Sequence, residues 1–166
     1  PDLGVNLLVK LHDLSFDPRS NPIDWRSELP KLARPGFKAI EDMDIIPWLF
    51  ASDALISDAS SVANEFTLLD RPILFIDVPE LFEKYKDTID LGGWGRRTGQ
   101  VVSTLAELKA ALERALRNPQ EAGDIRRAAA RDIFDNPGRA TAAAVSAIYR
   151  LSGLPCGGDP AAPAAI

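Results

Sequence analysis

Ala54-Leu-Ile-Ser-Asp-Ala-Ser-Ser-Val-Ala-Asn-Glu-Phe66 is the stretch that decides the fold, because it joins a buried strand to a helix through a tight polar turn. Apolar residues run up to Ile56, and four of the five residues at 57–61, which we call the serine turn, are polar. Val62 and Phe66 then follow at helical spacing. Such a turn presents N–H groups and hydroxyls beyond a strand's carboxyl end, where open parallel sheets bind ligands and a helix N-terminus favours phosphate.

Short apolar segments alternate with helical patterns on both sides of this turn. We predict strands within 4–11, 37–41, 53–57, 73–76 and 100–102. We predict helices over about 44–52, 61–69, 104–117, 119–134 and 139–151, with a proline-rich irregular segment at 15–36 that holds one helical turn near Trp25. This alternation is typical of an α/β, Rossmann-like parallel sheet flanked by helices.

The composition fits one globular domain. The chain has 166 residues, 46% of them hydrophobic and 26% charged. Its net charge of -5 argues against a general nucleic-acid-binding protein, and no apolar run approaches the roughly 20 residues of a membrane-spanning helix. The sequence has one histidine and one cysteine, and it shows no cluster of residues with the spacing that is typical of metal ligands. We expect a nucleotide-binding domain at 1–153, a disordered tail at 154–166, and no cofactor or metal.

The motifs over residues 42–76 resemble the CDP-glycerol glycerophosphotransferase family, the polymerases and primases of teichoic-acid-like polymers. The features that carry this resemblance are the acidic-Ser-Ser turn at 58–61, Glu65-Phe66 one helical turn later, and the strand that begins after Pro72. Val9-Lys10-Leu11-His12 upstream and the segment 99–104 downstream extend the likeness to about residues 5–150. The resemblance implies the carboxyl-terminal, nucleotide-binding half of a two-domain glycosyltransferase-B fold.

The resemblance implies specific donor contacts in the serine turn. Ser60 and Ser61 would bind the β-phosphate of CDP-glycerol, although both are also ordinary helix caps. Glu65 would bind the ribose hydroxyls, since it stands at the wrong spacing from either serine for a capping box. Asp58 is acidic in the family and close to the donor, and an Asx-type turn is the alternative for it.

Basic residues on other elements complete the expected site. By resemblance, His12 would stabilise the diphosphate as CMP leaves, and we expect it to end a central strand at the same edge as Ser60. Lys10 would add positive charge there, or be an ordinary surface lysine. Arg96 and Arg97 lie in a glycine-rich segment at 91–99, which we predict to be a mobile lid over the phosphates, with Trp94 stacking on a ligand.

The predicted reaction moves glycerol phosphate from CDP-glycerol, or a related CDP-linked polyol, to a polyol-phosphate or lipid-linked acceptor. The sequence starts with Pro1 and contains no acceptor-side domain, so we expect a segment of a longer enzyme that is inactive alone. We expect a cytoplasmic location at the inner face of the cell membrane, with any membrane contact outside this chain. The alternatives are a nucleotide-sugar-dependent glycosyltransferase, a UDP-sugar 2-epimerase-like domain, and a non-catalytic interaction module.

Overall fold

The strands of the domain are short and pair only in parallel. A computed structural model describes residues 3–88 and 95–155, and in this part the chain forms two sheets. The strands are β1 (Leu7–Val9), β2 (Phe37–Ala39), β3 (Leu55–Ser57), β4 (Ile73–Ile76) and β5 (Gln100–Val102). The order is β1-β2 in one sheet and β3-β4-β5 in the other, and each predicted strand is confirmed within its segment.

The division into two sheets corrects one expectation. β1 pairs with β2, with Leu7 opposite Phe37, and it does not pair with β3, β4 or β5 among the described residues. The prediction that His12 follows a central strand is therefore wrong. The central strand is β4, which pairs with β3 and β5 and buries Ile73, Leu74 and Phe75. Local patterns identify a strand, but its partner is fixed by packing distant in sequence.

Seven helices connect and cover the strands within the described residues. They are α1 (Trp25–Glu28), α2 (Ile46–Ala51), α3 (Val62–Phe66), α4 (Pro79–Lys84), α5 (Leu105–Arg117), α6 (Gly123–Ile133) and α7 (Ala140–Leu151). Short 3₁₀ turns lie at Asp13–Phe16, Leu29–Leu32, Thr67–Leu69 and Gly95–Thr98. The expected single helix over 61–69 is thus α3 followed by a 3₁₀ turn, α6 begins later than expected, and α4 was not predicted.

The core lies on both faces of the three-stranded sheet. Because successive side chains of a strand point to opposite faces, β4 contributes to two clusters. Ile73 and Phe75 pack with Leu49 of α2 and Phe66 of α3. Leu74 packs on the other face with buried Val102 and Ala111. Helices therefore cover both faces, which confirms the predicted α/β architecture.

Capping explains where α5 begins. Thr104 Oγ1 accepts a hydrogen bond from Glu107 N at 3.2 Å. The Glu107 carboxylate reaches back to Ser103 N at 2.8 Å, one residue before the position that a standard capping box uses. The predicted capping pair is confirmed, and it fixes the exit of β5 into α5.

Asp70, Arg71 and Pro72 connect α3 to β4 and fasten this segment to the rest of the fold. Asp70 adopts a left-handed conformation (φ 49°) and pairs with Arg126, which is 1% exposed. Arg71 Nη1 donates to the carbonyl oxygens of Phe50 and Ser52 at 2.7 and 2.6 Å. The two Arg71 contacts cap the carboxyl end of α2, because the last carbonyls of a helix lack intrahelical donors.

Candidate functional site

The serine turn emerges from β3 at the carboxyl edge of the three-stranded sheet. Asp58 Oδ1 accepts from Ala59 N at 2.6 Å, and Ser60 Oγ accepts from Val62 N at 3.3 Å. Asp58, Ser60 and Ser61 are exposed, and the Ser61 side chain makes no capping hydrogen bond within the described part of the chain. The Asp58 contact reaches only the next residue, whereas an Asx turn uses the N–H two residues on, so the Asx alternative is not formed here. Ser60 accepts from the first residue of α3 in the manner of a cap.

The serine turn retains hydrogen-bonding capacity for a ligand. The N–H groups of residues 62–65 are bonded to Ser60 or Ser61, whereas no acceptor within residues 3–88 and 95–155 is assigned to the N–H groups of Ser60 and Ser61 themselves. Two N–H groups and the Ser61 hydroxyl therefore have no assigned partner within the described part of the chain. Since α3 has only five residues, these local donors matter more than a long helix dipole.

Glu65 lies one helical turn beyond the serine turn. Its backbone N–H donates to Ser61 O at 3.4 Å, so residues 61 and 65 lie on the same face, one helical turn apart. The residue is half-buried, and its carboxylate has no hydrogen-bond or ion-pair partner in the described part of the molecule. A carboxylate in this state has acceptor capacity for two hydroxyl groups.

His12 and Lys10 belong to the other sheet. His12 is exposed, and its Nδ1 accepts from Leu14 N at 3.1 Å, so the neutral ring carries its proton on Nε2. Lys10 is half-buried, with Nζ 3.8 Å from Asp13 Oδ1. No hydrogen bond or ion pair between described residues joins either side chain to the serine turn. Because β1 and β3 lie in different sheets, the expected common edge with Ser60 is wrong, while contacts of His12 and Lys10 with the donor stay predictions.

Arg96 makes contacts within the fold, with Asp77 and Phe82. It lies in the 3₁₀ turn Gly95–Thr98, and its Nη2 donates to Asp77 Oδ1 at 2.7 Å. Its guanidinium lies 4.4 Å from the centroid of the Phe82 ring. Residues 91–94 of the predicted lid lie outside the described part of the chain, so the lid stays a prediction, as does a contact between Arg96 and ligand. Arg97 is exposed, and Trp94 lies outside the described residues.

Asp77 and Ser103 are candidate site residues that the sequence did not single out. Asp77 directly follows β4, and Ser103 directly follows β5. The Asp77 carboxylate accepts from Arg96 and, at 3.5 Å, from Ser103 Oγ. Both follow predicted parallel strands, and this signal alone places them at the edge where such sheets bind ligands.

A cavity of about 110 Å³ lies at the opposite edge of the sheet. It is lined by the starts of β4 and β5 and by residues of α5 and α6, including Arg114 and Arg126. Arg114 Nη2 donates to Gln100 at 2.7 Å, and Arg126 is bonded to Asp70, Glu121 and Pro119. Because these cations are already paired, the cavity gives weaker support for an anion site than the serine turn does.

The chain belongs to the CDP-glycerol:poly(glycerophosphate) glycerophosphotransferase family, whose family model matches residues 6–149. It is also similar to the teichoic acid glycerol-phosphate primase of Bacillus spizizenii (strain ATCC 23059 / NRRL B-14472 / W23), with 41% identity over 71 residues. That match covers 42% of this chain and 16% of the primase. No solved structure matches the chain significantly.

The described residues show neither a membrane-spanning helix nor a clustered metal site. Within residues 3–88 and 95–155, the longest apolar helices fall short of what a bilayer crossing requires. The same residues contain no group of three or more His, Cys, Asp or Glu side chains placed to hold a metal ion. The predicted tail at 154–166 falls almost wholly outside the described residues.

Proposed function

We propose that this domain binds CDP-glycerol, or a related CDP-linked polyol, as the donor in glycerol phosphate transfer. Family membership over residues 6–149 defines the donor class. The observation that carries the assignment of the site is the serine turn with its uncommitted donors, followed one turn later by the unpartnered Glu65. Together they offer a phosphate subsite and a ribose subsite in the order in which a nucleotide presents these groups.

The proposed reaction is a displacement at the β-phosphorus of the donor. A hydroxyl oxygen of a polyol-phosphate or lipid-linked acceptor forms a new bond to this phosphorus. The bond from the phosphorus to the bridging oxygen breaks, and CMP leaves with that electron pair. The proton of the acceptor hydroxyl passes to a base in a second domain of the full-length enzyme. The domain described here positions the donor and stabilises charge on the diphosphate.

Individual residues have distinct proposed roles. Ser60 and Ser61 hold the β-phosphate through backbone N–H groups and the Ser61 hydroxyl, and Glu65 accepts from the ribose. His12 donates from Nε2 to the departing phosphate, with Lys10 adding positive charge. Only contacts that strengthen as charge moves toward CMP, here those of His12 and Lys10, would favour the transition state over the free donor. The serine turn and Glu65 would position the donor. The reaction would take place on the cytoplasmic side of the membrane that carries the acceptor.

Equilibrium titration with CDP-glycerol, measured by calorimetry, tests the proposal. We expect saturable binding by the unaltered chain and a loss of at least about tenfold in affinity for Ser61→Ala and for Glu65→Gln. Ser152→Ala, an exposed serine beyond α7, is the matched control and should bind as the unaltered chain does. Preferential binding of UDP-N-acetylglucosamine would instead support a nucleotide-sugar enzyme, and absence of binding to any nucleotide would contradict the proposal.

A further inference from the structure

The outer face of α3 carries a second polar side chain beside Glu65. The N–H group of Asn64 donates to Ser61 O at 2.9 Å, and that of Glu65 donates to the same oxygen at 3.4 Å. Residues three and four positions apart are neighbours on the surface of a helix, so Asn64 and Glu65 both lie one turn beyond Ser61. Ala63 and Phe66 of the same helix are buried. Ser61, Asn64 and Glu65 therefore form one polar face.

The fold does not account for the Asn64 side chain. The residue is half-buried, and its amide group has no hydrogen-bond partner among the described residues. Asparagine is a poor helix former that is favoured where its side chain bonds to the backbone at a helix end, and Asn64 makes no such bond there. Its carbonyl oxygen accepts from Thr67 Oγ1 at 2.6 Å, which holds its backbone in place. The amide therefore keeps its hydrogen-bonding capacity for a ligand.

The polar face ends at Leu68, an apolar residue that is 45% exposed. Leu68 lies four residues after Asn64 and three after Glu65, so it is the next neighbour of both along the helix surface. A ligand held by its phosphate at Ser61 thus meets two polar side chains, Asn64 and Glu65, before it reaches an apolar one. In the proposed binding mode, the group of the nucleotide beside these two side chains is the ribose.

The hydrogen-bonding groups of a ribose require both an acceptor and a donor. Each hydroxyl has one O–H donor and two lone pairs, and an ionised carboxylate such as Glu65 can only accept. The Asn64 amide supplies the missing N–H donors. We propose that Asn64 donates from Nδ2 to a ribose hydroxyl oxygen while Glu65 accepts from the hydroxyl protons. This proposal rests on the proposed function, and it makes Asn64 a binding residue that distinguishes a ribose from a sugar without hydroxyls.

Asn64→Ala tests the assignment through the affinities for CDP and 2′,3′-dideoxy-CDP, measured by calorimetry. Alanine suits a helix, so we expect the fold to be kept. The unaltered chain should prefer CDP, and the ratio of the two affinities should fall at least about fivefold in the variant, because only CDP has hydroxyls to lose a donor. Asn6→Ala removes an exposed asparagine before β1 and should leave the ratio unchanged.

The result separates this inference from the proposed function. An unchanged CDP affinity in Asn64→Ala, together with a lower affinity in Glu65→Gln, would overturn the Asn64 contact and leave the donor site standing. Equal losses of CDP and dideoxy-CDP affinity would also overturn it, since that result indicates a contact with the diphosphate or a structural role. Failure of the unaltered chain to bind CDP at all would overturn both.

The side-chain amide signals of Asn64 provide a second measurement that needs no variant. In nuclear magnetic resonance spectra of the unaltered chain, saturation with CDP should shift the two Nδ2 proton signals, because they gain an acceptor. Saturation with 2′,3′-dideoxy-CDP should leave both signals close to their positions in the free protein. Equal shifts with the two nucleotides, or none with CDP, would contradict a ribose contact even if Asn64→Ala failed to fold.

Discussion

Arg126 and Asp70 form an ion pair across 56 positions of sequence, with Arg126 Nε 3.1 Å from Asp70 Oδ1. Arg126 also donates to the carbonyl oxygens of Asp70, Glu121 and Pro119, so its buried guanidinium is extensively bonded. The other Asp70 oxygen accepts from Arg127, and this contact and the one to Asp124 raise the pKa of Arg127. The pair joins α6 to the turn that leads into β4.

Removal of the Arg126 side chain should destabilise the domain strongly. Arg126→Ala leaves Asp70 and three carbonyl oxygens without their buried donor, so we expect a loss of about 3–5 kcal/mol in the free energy of unfolding. Urea unfolding followed by circular dichroism measures it. Arg19→Ala removes an arginine whose side chain is 88% exposed and should leave the free energy of unfolding nearly unchanged. Similar losses for the two variants would show that the buried pair does not organise the fold.

Arg71 should stabilise the junction between α2 and β3 by a smaller amount. Arg71→Ala removes the donor to Phe50 O and Ser52 O, and we expect a loss of about 1–3 kcal/mol. Amide hydrogen exchange should also speed up in the last turn of α2, because its carbonyls lose their cap. Unchanged exchange in this turn would mean that solvent replaces the guanidinium without cost.

Substitution by alanine should change the stability of the domain in opposite directions at Gly99 and Gly123. A Cβ atom at Gly99 would meet the carbonyl oxygen of Ile73 at the edge of β4, so Gly99→Ala should destabilise the domain by more than about 1 kcal/mol. A Cβ atom at Gly123 would meet only the side-chain ends of Arg127 and Gln120, and alanine is the better helix former by about 0.5–1 kcal/mol. Thermal unfolding of both variants checks this, and equal midpoints would contradict the close approach at Gly99.

The sequence was sufficient where the signal was local. β4 was predicted at its observed bounds because an apolar run lies between Arg71-Pro72 and Asp77, and α5 because Thr104 and Glu107 cap its start. The serine turn was likewise predicted as a strand-to-helix junction. Its role in binding stays a prediction, since the contacts that would show it involve a ligand.

The sequence was insufficient where distant segments determine the structure. The division into two sheets depends on which strand edges pair, and apolar runs do not encode that choice. The contact of Arg96 with Asp77 was not predicted, because the two residues lie 19 positions apart. Arg126 was placed in an ordinary helix for the same reason. α4 was missed although Pro79 at its start and the buried Phe82 were usable signals.

The central claim is that the serine turn and Glu65 bind the donor, and amide chemical shifts measured during titration with CDP-glycerol test it most directly. We predict saturable shifts at Asp58, Ser60, Ser61 and Glu65. UDP-N-acetylglucosamine should produce smaller changes at the same residues. Shifts confined to the opposite cavity around Gln100 and Arg114, or none at millimolar CDP-glycerol, would contradict the account.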